Sequence, residues 1–220
     1  MQTWEAITSR RNVRSFADRP IPAADLDQIL EAGRRSPSSQ NWQPWDFIVV
    51  TDPERLRELA KVWRGAGHVA GSAATIVVIG PAADNEFGRA QFDLGQATMA
   101  MMLAAADLGI GSCHAGVTDL QLARELLGFP QDRGWALLIS LGYPAGRPLT
   151  PIRNPRRRPL GEIVHRDRWL WEARREIRSI RRSPARRVGA ADSGLRPGRA
   201  RRSTARSRAR SSYGSNGLLR

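Results

Sequence analysis

Cysteine is almost missing from this 220-residue sequence: Cys113 stands alone. No disulfide can form within one chain, and the composition suits a reducing compartment. Histidine is scarce too, and His68, His114 and His165 show no metal-ligand spacing with cysteine or carboxylates. No apolar run reaches the roughly 18 residues of a membrane-spanning helix. The start, Met1-Gln-Thr-Trp-Glu, lacks the charged-then-apolar layout of a secretory signal. A cytoplasmic protein with no membrane partner is the expectation.

Charge is abundant but unevenly placed. Residues 171–220 hold 15 Arg against Glu172, Glu176 and Asp192, which leaves 20 basic and 18 acidic residues in 1–170. The tail therefore carries +12 of the chain's +14. Residues 1–170 are long enough to bury one sizeable core, so the expected organisation is a single domain over 1–170 and an Arg-rich appendage over 171–220. From about Ser183 the tail has almost no large apolar side chains to offset its ordering entropy, and disorder is expected. Trp171, Ile177 and Ile180 have partly helical spacing, so Trp169 to Arg182 could extend a helix. The run from Arg199 to Arg210 could touch nucleic acid or another anionic surface nonspecifically; a solvated extension is the plainer reading.

Within 1–170 the pattern alternates between helix and strand. Leu26, Ile29, Leu30 and Gly33 recur at i, i+3, i+4 and i+7, predicting a helix from near Pro22 to before Pro37. Asp46 to Thr51, with Phe47-Ile-Val-Val50, reads as a buried strand. Asp52 followed by Pro53 marks a helix start, with Leu56, Leu59, Ala60 and Trp63 as the apolar face. Thr75 to Ile79 predicts a second strand, stopped by Gly80-Pro81. Phe87 to Leu108 predicts a long helix, and its centre, Ala97 to Ala106, is apolar nearly all round. Such a helix suits a subunit interface, ordinary monomer core being the alternative; its methionines would pack adaptably. Thr118 with Gln121 has the form of a capping box before a helix that Gly128 closes. Ala136 to Leu141 is the third predicted strand. The fold class that follows is α/β, a layered domain whose sheet is covered on both faces.

Two segments carry chemistry. Arg10, Arg11 and Arg14 supply fixed cations near the start, joined far along the chain by Arg156, Arg157 and Arg158. Guanidinium forks match phosphate oxygens two at a time, although such clusters are commonly solvated surface. Pro37-Ser-Ser-Gln-Asn-Trp-Gln-Pro44 is too rich in turn formers to be helical. Its Ser38, Ser39, Asn41 and Gln43 offer donors and acceptors, unless the loop merely caps its own turns. Together the segments suit a ligand with a phosphate at one end and a flat polar heterocycle at the other. Cys113 and His114 are neighbours, but on an extended chain they point to opposite faces, which argues against a nucleophile and base pair.

These motifs resemble the FMN-dependent nitroreductase family, whose pattern is a double-basic start followed by a Pro-Ser-x-x-Asn-x-Gln-Pro-Trp loop. Leu108-Gly-Ile-Gly-Ser-Cys-His-Ala-Gly116 is similar to the family's glycine segment over the flavin ring, and Arg158-Pro-Leu-Gly-Glu-Ile-Val-His165 to its closing motif. The likeness covers Trp4 to about Arg168. It implies a central, mostly antiparallel sheet flanked by helices, and a homodimer with long buried interface helices. It implies FMN held by Arg10, Arg11, Asn12, Arg14, Arg156 and Arg158 at phosphate and ribityl. Pro37, Ser38, Ser39, Asn41 and Gln43 would come from the partner subunit, with Cys113, His114, Ala115 and Gly116 beside the ring. NADH or NADPH is the implied donor, and a nitro compound, quinone or similar small molecule the acceptor, by ping-pong transfer with no side chain needed as an acid. A relative with other flavin chemistry, or a flavin carrier, is the alternative. Asn12 replaces the commoner Ser, and His114 and Ala115 stand where some members carry an acid.

Overall fold

The computed structural model describes residues 2–82 and 87–169. Residues 171–220, including most of the possible helix from Trp169 to Arg182, lie outside the described residues. Chain contacts divide the molecule into one unit from Met1 to Arg156 and a second from Arg157 to Arg220.

In the first unit, helix α1 (Thr3–Ser9) is followed by α2 (Ala23–Arg34) and strand β1 (Asp46–Val50). Next come α3 (Pro53–Leu59), β2 (Ala74–Pro81), α4 (Phe87–Asp107), β3 (Gly111–Gly116), α5 (Leu120–Leu127) and β4 (Arg133–Gly142). The four strands form one sheet in the order β1-β2-β4-β3. Every pairing in it is antiparallel. The layered architecture expected from the sequence is therefore present, with helices on both faces.

Strand β2 shows why both faces need cover. Ile76 and Val78 join a core with Ile29 of α2 and Leu94, Ala97 and Met101 of α4. Their neighbours Val77 and Ile79 join the opposite core with Leu56 and Leu59 of α3 and Ala123 of α5. Alternate side chains thus bury in different layers, and each fully buried aliphatic contributes about 1.5–3 kcal/mol by leaving water. Helix α4 is drawn tight against α2 at Gly33, where an added Cβ would lie 2.8 Å from Met101 Cγ.

The local signals mostly hold, with informative departures. Asp52 Oδ1 accepts from the Arg55 N–H at 2.8 Å and caps α3, as the Asp-Pro pair predicts. Gly128 closes α5 at a φ of 73°. The α5 cap, however, is Asp119, whose Oδ1 accepts from Leu122 N–H at 2.9 Å, while Thr118 Oγ1 donates to the Val62 carbonyl. A carboxylate is also a strong cap, and register favoured it. Strand β1 is not fully buried: it lies at the sheet edge, with Val49 39% exposed. Gly80-Pro81 does not stop β2. The register shifts there, and the strand continues through the irregularity.

In the second unit, Arg158 Nη2 donates to the Glu162 carbonyl at 2.7 Å around the short turn Leu160–Glu162. His165 stacks on Trp169 with centroids 4.2 Å apart.

Candidate functional site

The chain leaving α1 lies beside the free edge of β3. Asn12 pairs with Ser112 in a parallel bridge, and Val13 N–H donates to the Ser112 carbonyl at 2.9 Å. The approach is close: a Cβ on Gly111 would lie 2.8 Å from Val13. Gly109, at a φ of 73°, makes the turn into β3, while Gly116 faces open space. The glycines of this segment therefore serve the turn and the packing against Val13 as well as leaving one end of the strand uncrowded.

This bridge brings together two groups separated by 100 residues of sequence. Arg10 Nη2 reaches Asn12 Oδ1 at 3.1 Å and Met102 Sδ of α4 at 3.4 Å. His114 is exposed on β3, and its pKa is pushed below the ordinary 6.5 by desolvation first, then by the guanidiniums of Arg10 and Arg14. The ring is thus neutral at pH 7 and keeps one nitrogen as an acceptor. Cys113 points the other way and is fully buried, and desolvation pushes its thiol up, so no thiolate pairs with His114. Ala115 is buried in the α3 and α5 layer. Arg11 is turned aside: its Nη1 and Nη2 donate to the Pro148 and Arg147 carbonyls at 3.2 and 2.6 Å. Arg156 ends the first unit and Arg158 belongs to the second; both are exposed.

Beside His114 and Met102 lies a cavity of about 240 Å³, also lined by Gln91, Thr98 and Trp135. Thr98 is 7% exposed, and its Oγ1 has no hydrogen-bond partner there.

The Ser-rich loop is built elsewhere along α4. Ser38 Oγ accepts from Gln43 N–H at 2.9 Å, and the Gln43 side-chain amide donates to the Asn41 carbonyl at 3.2 Å. Gln40, Asn41 and Gln43 adopt φ values of 52°, 57° and 52°. Left-handed backbone costs about 1–2 kcal/mol for each ordinary L-residue, somewhat less for Asn. The loop needs anchors, and α4 supplies them. Asp93 Oδ2 accepts from Ser39 N–H at 3.0 Å, Gln96 Nε2 donates to the Pro37 carbonyl at 3.4 Å, and Arg89 lies over Trp42 at 5.1 Å. These three helix residues were not legible as site residues in the sequence; their i, i+4, i+7 spacing was the available signal. A cleft of about 520 Å³ separates loop and helix, lined by Pro37, Ser38, Ser39, Arg89, Phe92 and Asp93.

Within one chain, the loop contacts α4 at residues 89–96, whereas Arg10 meets it at Met102. From Gln96 to Met102 the axial rise is roughly 9 Å. The outer face of α4 also leaves Phe92 70% and Met99 44% exposed, near in the fold to α1, whose Trp4 and Ile7 are exposed as well. Such large apolar side chains, repeated along two helices in contact, mark a surface that another protein surface can cover. Among the described residues no group of three or more His, Cys, Asp or Glu could hold a metal ion, and no helix is long and apolar enough to cross a membrane.

Known proteins resemble this chain in sequence and in fold. The family model described as Nitroreductase family matches residues 7–71 and 60–143. A protein from Archaeoglobus fulgidus named for NADH dehydrogenase and NAD(P)H nitroreductase activity is 34% identical over 172 residues, covering 74% of this chain and 96% of its own. The oxygen-insensitive NADPH nitroreductase of Salmonella typhimurium is 30% identical over 183 residues, covering 76% and 74%. Among solved structures, the NADPH:FMN oxidoreductase of Vibrio harveyi complexed with NAD+ superposes with a TM-score of 0.68 at 25% identity, covering 80% of this chain and 82% of that one. On the strength of the family match, the relatives and the shared fold, this chain belongs to the nitroreductase family.

Proposed function

We propose that the chain is an FMN-dependent oxidoreductase that takes reducing equivalents from NADH or NADPH and delivers them to a nitro compound, a quinone or a similar small acceptor. The observation that carries this reading is the Asn12–Ser112 bridge, which sets Arg10 and Asn12 beside the outer edge of the glycine segment. The relatives, named for NAD(P)H nitroreductase and flavin oxidoreductase activities, support it.

The residues present fit a phosphate-bearing, flat, polar group. Arg10 and Arg14 offer charge-assisted donors, His114 is held neutral beside them, and the buried Thr98 hydroxyl has no partner. The chemistry FMN supplies when bound is two-electron transfer between a reduced nicotinamide and an acceptor. Arg10, Asn12 and Arg14, with Arg156, bind phosphate and ribityl oxygens. Cys113 to Gly116 offer main-chain groups to the ring, with Gly116 leaving room for close approach. Pro37, Ser38, Ser39, Asn41 and Gln43 of a second copy complete the site, which makes the working unit a homodimer. The exposed apolar residues Trp4, Ile7, Phe92 and Met99 supply the face on which that copy packs. Donor and acceptor use one open face in turn, so the kinetics are ping-pong. The soluble body works in the cytoplasm, and the tail is dispensable for the chemistry.

Initial-rate measurements with NADPH and a quinone test this reading. Parallel double-reciprocal lines are expected; intersecting lines would rule out donor and acceptor taking turns on one face.

A further inference from the structure

We propose that Asp93 is a positioning residue for the Pro37–Gln43 loop, and that with Arg89 and Gln96 it forms a clasp holding that loop in the form that receives a flavin. The inference rests on the FMN reading above and adds to it residues that touch neither cofactor nor substrate.

Asp93 is a carboxylate only 2% exposed, on a helix buried mainly through apolar side chains. Burying a carboxylate is costly unless its oxygens are bonded, so its contacts show what it is for. Oδ2 accepts from the main-chain N–H of Ser39 at 3.0 Å, and Oδ1 accepts from Gln96 Nε2 at 3.4 Å. Gln96 Nε2 also reaches the Pro37 carbonyl, and Arg89 lies over the Trp42 ring. One face of α4 thus grips the loop at its beginning, middle and end.

The loop needs such a grip. Three of its non-glycine residues, Gln40, Asn41 and Gln43, are left-handed, a shape a free segment of this sequence would not hold. The Ser38 hydroxyl spans the loop internally to Gln43 N–H, and the α4 contacts tie it to the domain's core helix. The same helix exposes Phe92 beside Asp93, so the element that fixes the loop also carries an apolar face suited to the second copy. Loop shape and subunit contact are set by one rigid body.

The test uses the full chain, in two readouts. Hydrogen exchange of the loop peptide in flavin-free protein reports the clasp itself, and fluorescence titration with FMN reports its consequence. Asp93→Ala should speed exchange across residues 37–43 and weaken FMN binding at least tenfold. Asp93→Asn, whose amide oxygen can still accept from Ser39, should restore both to within about threefold of the parent. Gln96→Ala, a milder change, should give a smaller loss of the same kind even should Asp93→Ala fold poorly. Unchanged exchange and affinity in Asp93→Ala and Gln96→Ala would overturn the clasp, as would an Asn variant no better than Ala. Faster loop exchange in Asp93→Ala, in a parent chain that binds no FMN, would instead overturn the functional reading and with it the clasp's flavin role.

Discussion

His68 Nδ1 lies 2.7 Å from Ser140 Oγ, joining a short turn on the α3 side of the sheet to the C-terminal part of β4. Ser140 Oγ in turn donates its one proton to the Cys113 carbonyl at 3.1 Å. The proton of the first bond must therefore sit on His68 Nδ1, which fixes the tautomer of the neutral ring. The pair ties the turn to β4 and, through Cys113, to the strand that borders the candidate site.

Removing the hydroxyl leaves a buried ring N–H without its acceptor. Ser140→Ala is expected to destabilise the fold by about 1–3 kcal/mol. Urea denaturation would show this as a lower midpoint with an unchanged slope, and an unchanged midpoint would remove the bond from the account.

The same histidine predicts a pH dependence. Burial first, then Arg14 and His114, hold the folded pKa of His68 below its ordinary 6.5. As pH falls below 6.5 the unfolded chain takes up the proton before the folded one does, so stability is present above that pH and is lost on acidification through the folded pKa. His114 is shifted in the same direction and adds the same sign. Urea midpoints from pH 7.5 to pH 5 should fall for the parent chain and fall less steeply for His68→Gln. Equal slopes would contradict the assignment.

The apolar face predicts assembly. Phe92→Asp combined with Met99→Glu places charge on the outer side of α4 without touching its buried side. Sedimentation velocity should show a dimer for the parent and a monomer for the double variant, with FMN affinity falling alongside. A variant that stays dimeric would place the interface elsewhere.

Arg10 and Arg11 are adjacent in sequence but differently engaged. Arg10→Ala is expected to weaken FMN binding 10- to 150-fold, the equivalent of about 1.5–3 kcal/mol for a charge-assisted bond. Arg11, bonded to the carbonyls of Arg147 and Pro148, should cost more in thermal stability than in affinity when replaced by Ala. Fluorescence titration and thermal melts of the two variants separate these effects.

Helices α2 to α5 and the central strands were legible because their signals are local. Asp52-Pro53 announces α3, and the largely apolar runs of β2 and β4 announce strands buried on both faces. Strand β3 was not, since Gly-Ser-Cys-His-Ala-Gly has little strand preference of its own and is held by pairing with Leu137 to Gly142. The edge position of β1 escaped for a related reason: Phe47-Ile-Val-Val50 has the composition of a central strand, and only sheet order decides which strand lies outside. At the site, the cations and the Ser-rich loop were visible as motifs. Arg89, Asp93 and Gln96 were hidden, because a polar residue on a long helix declares its purpose only when its partner, some fifty residues away, is in place.

FMN binding and electron uptake from a nicotinamide underlie every role assigned to these residues. Anaerobic addition of NADH or NADPH to the FMN-reconstituted chain, followed by stopped-flow absorbance, tests both most directly. The visible flavin band should be lost rapidly and return when a quinone is added. A chain that takes up no FMN, or whose bound flavin keeps its colour in the presence of both nicotinamides, would contradict the FMN reading.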